Sequence, residues 1–145
     1  GLLMARLMAR AGQPLIGEAD VIIPVPLHRF RLWGRRFNQA AFLSQQISRQ
    51  FGKAYRSDVL KRNRATRSQV GLSSDERRKN VAKVFQVMPE AVGHIAGRRV
   101  LLVDDVLTTG ATAGSCAAVM KKSGAAHVDV LTFALVLEPR RPHIG

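Results

Sequence analysis

The chain has 145 residues, of which 46% are hydrophobic and 23% are charged, and its formal net charge is +13. This composition is that of one globular domain, and it excludes a disordered tail, a collagen-like fibre and a disulfide-stapled miniprotein. The single cysteine, Cys116, and the lack of an apolar run near the roughly 20 residues of a membrane helix favour a protein of the reducing cytoplasm without a membrane span.

Three short apolar runs predict buried strands. Residues 20–25 end in a turn between Pro24 and Pro26, residues 99–103 end in two aspartates, and residues 128–137 follow a glycine that can end a helix. Continuous apolar strands of this kind are typical of a parallel sheet that is covered on both faces.

Helical patterns separate these strands. Residues 38–51 and 112–123 show helical spacing followed by a glycine, and a third helix is predicted to begin near Ser74. The side chains expected to face the core are Ala41, Phe42, Gln45 and Ile47 in the first helix and Cys116, Val119 and Met120 in the second. The alternation predicts an α/β domain with a mostly parallel, twisted sheet flanked by helices.

This domain is expected to occupy residues 19–137. Residues 1–18 predict an N-terminal helical extension, interpreted as a remnant of a larger N-terminal region, and residues 138–145 predict a C-terminal tail. No repeat or linker-like composition divides the chain further.

The segment that follows the second strand carries the most chemical information. The strand ends in Asp104 and Asp105, at the edge where open α/β sheets bind ligands, and a Thr- and Gly-rich turn then leads into a helix. Two carboxylates can accept the hydroxyls of a diol, whereas helix amides and threonine hydroxyls suit a phosphate monoester. A diol beside a phosphate indicates a sugar phosphate. One alternative, an aspartyl phosphotransfer site, does not require this turn. Another, an Asp cap with a Thr-rich turn of purely structural role, gives no reason to keep two adjacent carboxylates that repel each other.

The positive charge is concentrated upstream of that motif. Residues 28–83 hold fifteen Lys or Arg and three Asp or Glu, whereas the rest of the chain holds eight and seven. Such a segment favours an anionic partner: nucleic acid, a phosphorylated small molecule or an acidic protein surface. A solvated basic face without a specific partner is an equal alternative. At the start of the segment, an anion could be bound by the backbone amides of Leu27, His28 and Arg29.

The strand, the paired aspartates and the sequence Val-Leu-Thr-Thr-Gly-Ala-Thr that follows them resemble the phosphoribosyl pyrophosphate (PRPP) signature of type I phosphoribosyltransferases. The resemblance implies the type I phosphoribosyltransferase fold, with Asp104 and Asp105 on the ribose 2′- and 3′-hydroxyls. It also implies that the 5′-phosphate is bound by Thr108, Thr109, Gly110, Ala111 and Thr112.

The wider pattern is similar to the competence protein F (ComF) family, whose members resemble the transferase domain of amidophosphoribosyltransferases. Over residues 19–136, the similar motifs are Pro-Val-Pro-Leu-His, Arg-Phe-Asn-Gln, Arg-x-Thr-x-Ser-Gln and Leu-Ser-x-x-Glu-Arg-x-x-Asn-Val. By this resemblance the turn after Pro26 is the pyrophosphate loop. By the same resemblance, residues 61–69 are the flexible catalytic loop, and we expect Arg64 and Arg67 of this loop to close over the leaving group. Members commonly carry an N-terminal cysteine-rich zinc module; since this chain has one cysteine, we expect the module to be absent or to have been removed.

These features predict an enzyme that binds PRPP with Mg²⁺ and transfers the phosphoribosyl group to an unidentified nitrogen acceptor, with release of pyrophosphate. The Mg²⁺ is expected to bind mainly through the substrate, without a dedicated set of protein ligands. The alternative is a non-catalytic protein that binds PRPP or a nucleotide, or a competence factor that binds single-stranded DNA through residues 28–83. The sequence leaves open the acceptor, the general base and the oligomeric state, for which a homodimer is one candidate.

Overall fold

A computed structural model describes residues 9–10, 12–26, 38–63, 84–104 and 111–132 of the chain. Its elements, in chain order, are helix α1 (Gln13–Glu18), strand β1 (Val21–Pro24), helix α2 (Gln39–Phe51), strands β2 (Ala54–Tyr55), β3 (Leu60–Arg62) and β4 (Phe85–Val87), a 3-10 helix (Pro89–His94), strand β5 (Arg99–Asp104), helix α3 (Ala111–Lys122) and strand β6 (His127–Thr132). The helix predicted near Ser74 and the predicted strand residues beyond Thr132 lie outside these ranges.

The strands form one parallel sheet and one antiparallel hairpin. The sheet has the order β2-β1-β5-β6, and all of its neighbouring strands are parallel. The hairpin pairs β3 with β4, in a register that places Leu60 opposite Val87 and Arg62 opposite Phe85. Together with the flanking helices, this arrangement confirms the predicted mostly parallel α/β sheet.

Strand β5 lies in the middle of the core, because its residues alternate between the two covered faces of the sheet. Val100 and Leu102 pack in a cluster with α3 and the hairpin, whereas Leu101 and Val103 pack in a second cluster with α1 and α2. All four of these side chains are 0% exposed. Burial on both faces explains why the strand is an unbroken apolar run in the sequence.

Helix α2 begins and ends as the sequence predicts. The Asn38 side chain accepts a hydrogen bond from the Ala41 amide at 3.1 Å, and Gly52 ends the helix with a left-handed φ of 64°. The predicted inward face was partly wrong: Ile47 is buried as expected, but Gln45 is exposed. The other buried positions are Ala40, Leu43 and Ser44. The Ser44 hydroxyl can lie in the core because it donates to the Ala40 carbonyl at 2.7 Å.

Helix α3 also matches its prediction. Cys116 and Met120 are 0% exposed and face the cluster on the hairpin side of the sheet, with Val119 packed against it. Gly124 follows the helix at a φ of 114° and approaches the Cα of Ala96, so that the chain can turn into β6.

The hairpin is a correction to the sequence prediction. Residues 61–69 were expected to be loop, but Leu60–Arg62 is a strand that pairs with Phe85–Val87. Val59 and Leu60 are buried in the core, at 0% and 6% exposure, and anchor this strand despite its polar neighbours. Within the ranges that the structure covers, no helix has the length and hydrophobicity to cross a membrane.

Candidate functional site

The carboxyl edge of the sheet carries the predicted acidic end of β5. Asp104 is the last residue of that strand and lies in register with Thr132, the last residue of β6. Asp104 is 8% exposed and Thr132 is 1% exposed. Since Val100 and Leu102 alternate with Leu101 and Val103, Asp104 follows the first pair onto the face that α3 and the hairpin cover. The structure thus places a buried carboxylate at a sheet edge, where open α/β sheets bind ligands.

The end of β1 lies directly beside this carboxylate's strand. The Val25 amide donates to the Val103 carbonyl at 2.9 Å, so the pairing of the two strands continues to Val25, the residue before Pro26. The Asn38 side-chain amide donates to the Val25 carbonyl at 3.5 Å. Val25 and Asn38, which lie on either side of residues 26–37 in the chain, are therefore close together at this edge. The predicted anion-binding residues Leu27, His28 and Arg29 themselves lie outside the described ranges.

The amino terminus of α3 lies at the same edge. The helix lies between β5 and β6 in the chain, and the two strands are parallel, so its amino terminus is at the edge of the sheet where β5 ends. Its first two residues are Ala111 and Thr112, and the Thr112 side chain is half-buried. The remaining predicted ribose and phosphate ligands, which are Asp105, Thr108, Thr109 and Gly110, lie outside the described residues.

The hairpin holds the residues on either side of the segment 64–83, which contains residues 64–69 of the predicted catalytic loop. The Asn63 amide donates to the Val84 carbonyl at 2.6 Å, which joins the two residues that flank residues 64–83. Arg64 and Arg67, the candidates for closing over a leaving group, lie within that segment and outside the described residues. The two residues that flank the segment, Asn63 and Val84, are thus held close to the core, because β3 and β4 pack in the same cluster as β5 and α3.

Arg62 is a residue of this region that the sequence analysis did not single out. Its guanidinium carbon lies 4.8 Å from the centroid of the Phe85 ring, a cation–π distance. Phe85 is 4% exposed and belongs to the core cluster that also holds Leu102 and Cys116. In the sequence, Arg62 is one basic residue within a basic run, and only the pairing of β3 with β4 shows that it is set over an aromatic ring.

The thiol of Cys116 is buried in the same core cluster as Phe85 and is chemically inert. Its pKa is raised from 9.0 to about 12, chiefly by burial and secondarily by the Asp104 carboxylate, against a smaller lowering effect of the Arg62 guanidinium. A thiol with so high a pKa is not ionised near neutral pH and is not a nucleophile. The expectation that Cys116 packs in the core is therefore confirmed.

The described residues contain no group of three or more His, Cys, Asp or Glu side chains that could hold a metal ion. Asp104 is nevertheless a hard oxygen donor of the type that suits Mg²⁺ and the hydroxyls of a sugar. The site is thus an acidic strand end, a helix amino terminus and the end of β1 at one edge of a parallel sheet, with the hairpin packed in the core cluster that α3 and β5 share.

Comparison with known proteins supports this description. Residues 38–144 match the family described as the phosphoribosyl transferase domain. Competence protein F of Haemophilus influenzae (strain Rd) is 40% identical over 115 residues, which are 79% of this chain and 50% of that protein. The DNA utilization protein YhgH of Escherichia coli O157:H7 is 40% identical over 112 residues, 77% of this chain and 47% of that protein. The chain spans about half the length of the curated relatives it matches.

Solved structures show the same fold. A structure titled as the allosteric regulatory enzyme of purine biosynthesis aligns with a TM-score of 0.61 and 21% identity, over 90% of this chain and 24% of that one. The glutamine PRPP amidotransferase of B. subtilis aligns with a TM-score of 0.61 and 23% identity, over 88% of this chain and 24% of that one. The architecture is thus the type I phosphoribosyltransferase fold, and the chain belongs to the phosphoribosyl transferase domain family.

Proposed function

We propose that this domain binds PRPP with Mg²⁺ at the carboxyl edge of its sheet and transfers the phosphoribosyl group to a nitrogen acceptor, with release of pyrophosphate. The observation that carries the proposal is the position of Asp104: a buried carboxylate that ends a central parallel strand, at the edge of the sheet where the helix that begins at Ala111 has its amino terminus. Membership of the phosphoribosyl transferase domain family supports the same substrate.

Asp104 would hold the ribose. A carboxylate accepts hydrogen bonds through both oxygens and can bind adjacent hydroxyls of a furanose together with Asp105, its neighbour in sequence. The backbone of Asp104 is fixed, because β5 is paired with β1 on one side and with β6 on the other. A fixed acceptor orients the sugar without a further loss of conformational freedom when the substrate binds.

The amino terminus of α3 would hold the 5′-phosphate. A helix of 12 residues concentrates partial positive charge at its first amides, and Thr112 adds a hydroxyl donor in that turn. Lys121 and Lys122 lie in the last turn and match the opposite end of the dipole. Thr108, Thr109 and Gly110 would complete the phosphate cradle.

The leaving diphosphate would be bound by residues of two segments, one that follows β1 and one that follows β3. Leu27, His28 and Arg29 would donate from the turn after β1, whose two ends are held together by the contact of Asn38 with Val25. Arg64 and Arg67 would approach from the segment that begins at the Asn63–Val84 pair. Positive donors on two sides can neutralise the charge that develops on a diphosphate as it leaves.

The reaction would be a substitution at C1 of the ribose. The C1–O bond to the diphosphate breaks with its electron pair on the diphosphate, and a nitrogen lone pair of the acceptor forms the new C1–N bond before the nitrogen releases a proton. Mg²⁺ bound with the substrate would supply charge neutralisation of the leaving group. The protein groups named above act by placement and electrostatic stabilisation of an oxocarbenium-like state.

Pyrophosphate release from PRPP and Mg²⁺, measured across a panel of ammonia and nitrogenous bases, tests this proposal. We expect release that depends on one class of acceptor and that is lost in Asp104→Asn. The matched control is Asp129→Asn, which changes a carboxylate within β6, away from the strand end. Binding of PRPP without release under any acceptor would contradict the transfer step but not the binding step.

A second candidate function is binding of single-stranded DNA, and one observation favours it. Four residues with basic side chains lie at the amino-terminal edge of the sheet, opposite the proposed substrate site, and all are exposed: Arg98, Lys121, Lys122 and His127. They are brought together because the Ala126 amide donates to the Arg98 carbonyl at 2.9 Å and α3 ends beside them. The names of the relatives, which refer to competence and DNA utilization, agree with it. DNA binding that falls steeply with salt and is unaffected by PRPP would support this function.

A further inference from the structure

Arg62 and Asp104 lie at the ends of two strands, β3 and β5, that pack in the same core cluster. Arg62 ends β3 and stacks over its register partner Phe85, at 4.8 Å from the ring centroid. Phe85 packs in the cluster that contains Leu102 and Cys116. The guanidinium is therefore held at the inner face of the hairpin, where the Phe85 ring restricts its motion.

Asp104 reaches the same cluster from the sheet. It lies two residues after Leu102, on the face of β5 that α3 and the hairpin cover. The thiol of Cys116 responds to both charges, since the Asp104 carboxylate raises its pKa and the Arg62 guanidinium lowers it. Two opposite charges thus act at the same buried atom, one from the strand end and one from the root of the hairpin.

We propose that Arg62 is a positioning residue, whose guanidinium holds the Asp104 carboxylate ionised and oriented toward the ribose. A carboxylate that is 8% exposed is stable as an anion only with a counter-charge or strong donors near it. Arginine suits this role, because its planar fork binds a carboxylate while its face stays on an aromatic ring. This inference rests on the proposed function.

In the proposed geometry, the two oxygens of the Asp104 carboxylate accept from different partners. The oxygen that faces the hairpin accepts from Arg62, and the other oxygen accepts from a ribose hydroxyl. Arg62 also directly precedes Asn63, whose amide pairs with Val84 at the root of residues 64–83. The same side chain thereby links the ribose-binding strand to the segment that carries Arg64 and Arg67.

A double-mutant cycle without ligand tests the contact itself. The thermal unfolding midpoints of wild type, Arg62→Met, Asp104→Asn and the double variant are compared at pH 7. Each single variant should lower the midpoint, and the double variant should lower it by clearly less than the sum. Lys61→Met is the matched control, because Lys61 is exposed on the same strand and its effect should add to that of Asp104→Asn. Additive shifts for Arg62 and Asp104 would overturn the inference.

Binding of ribose 5-phosphate and of PRPP with Mg²⁺ tests the role. Arg62→Met should weaken both ligands by the same factor, roughly tenfold, because the loss acts on the ribose through Asp104. Arg62→Lys should recover part of the affinity, and Arg62→Met should have no further effect in the Asp104→Asn background. Weakening of PRPP alone would mean that Arg62 contacts the diphosphate and would overturn the positioning role.

Failure of the proposed function and failure of the positioning role of Arg62 give different results in these experiments. If wild type binds neither ligand while the midpoint shifts of Arg62→Met and Asp104→Asn are not additive, the proposed function is wrong and the contact stands. If wild type binds both ligands and Arg62→Met binds them equally well, the positioning role alone is wrong.

Discussion

The side chain of Asn38 joins the start of helix α2 to the end of strand β1. Its amide nitrogen donates to the Val25 carbonyl at 3.5 Å, and its oxygen accepts from the Ala41 amide at 3.1 Å. One residue therefore caps the helix and closes the base of residues 27–37, which include the proposed pyrophosphate loop. We therefore expect stability and ligand binding to depend on different atoms of this side chain.

Substitutions at Asn38 should separate these two effects. Asn38→Ala removes both contacts and should lower the free energy of unfolding by about 1 kcal/mol, as measured by urea denaturation. Asn38→Asp keeps an oxygen for the Ala41 amide and loses the donor to Val25. We expect Asn38→Asp to restore most of the stability but to bind PRPP as weakly as Asn38→Ala. Wild-type affinity in Asn38→Asp would show that the contact with Val25 does not organise the loop.

Cys116 should make the stability depend on alkaline pH. Because burial raises the pKa of its thiol from 9.0 to about 12, the folded chain keeps a proton that the unfolded chain releases above about pH 9. The free energy of unfolding should therefore fall between pH 9 and pH 12 more steeply in wild type than in Cys116→Ala, with an excess of roughly 1–3 kcal/mol by pH 11. Parallel pH profiles for the two proteins would contradict this account of the thiol.

The thiol should also be unreactive in the folded protein. At pH 8, iodoacetamide should label Cys116 only at the rate of unfolding, because the side chain is 0% exposed and its pKa lies far above that pH. Cys116→Ser should retain PRPP binding. Rapid labelling under native conditions, blocked by PRPP, would instead place the thiol in the substrate site.

Charge reversal at the amino-terminal edge should distinguish the two candidate functions. Replacing Arg98, Lys121 and Lys122 by Glu should leave PRPP binding unchanged, because these residues lie at the edge opposite Asp104. If this edge binds single-stranded DNA, the affinity should fall and the slope of its logarithm against the logarithm of salt concentration should decrease by about 0.7 for each lost phosphate contact. An unchanged DNA affinity would exclude this edge as the binding surface.

The sheet and its helices could be predicted from the sequence because their signals are local. The apolar runs at residues 20–25 and 99–103 encode strands buried on both faces, and Asn38 and Gly52 mark the ends of α2. The hairpin could not be predicted in this way. Its strand Leu60–Arg62 has only three residues, and its partner Phe85–Val87 lies beyond a long polar segment.

The candidate site was partly accessible to the same reasoning. The two aspartates and the Thr-rich turn form a contiguous motif, and the structure confirms that Asp104 ends a central strand at the expected edge. The position of Arg62 depends on its stacking over Phe85, a contact between strands that no local pattern encodes. The roles of Arg64, Arg67 and the residues after Pro26 stay predictions, since they lie outside the described ranges.

Titration calorimetry with PRPP and Mg²⁺ tests the central claim most directly. The double variant Asp104→Asn with Asp105→Asn should bind PRPP at least tenfold more weakly than wild type, because the ribose loses its charged acceptors. Its affinity for inorganic pyrophosphate should stay within about twofold of wild type, since the proposed diphosphate-binding residues are not changed in this variant. Equal affinity of the two proteins for PRPP would contradict the claim that this acidic strand end binds the sugar.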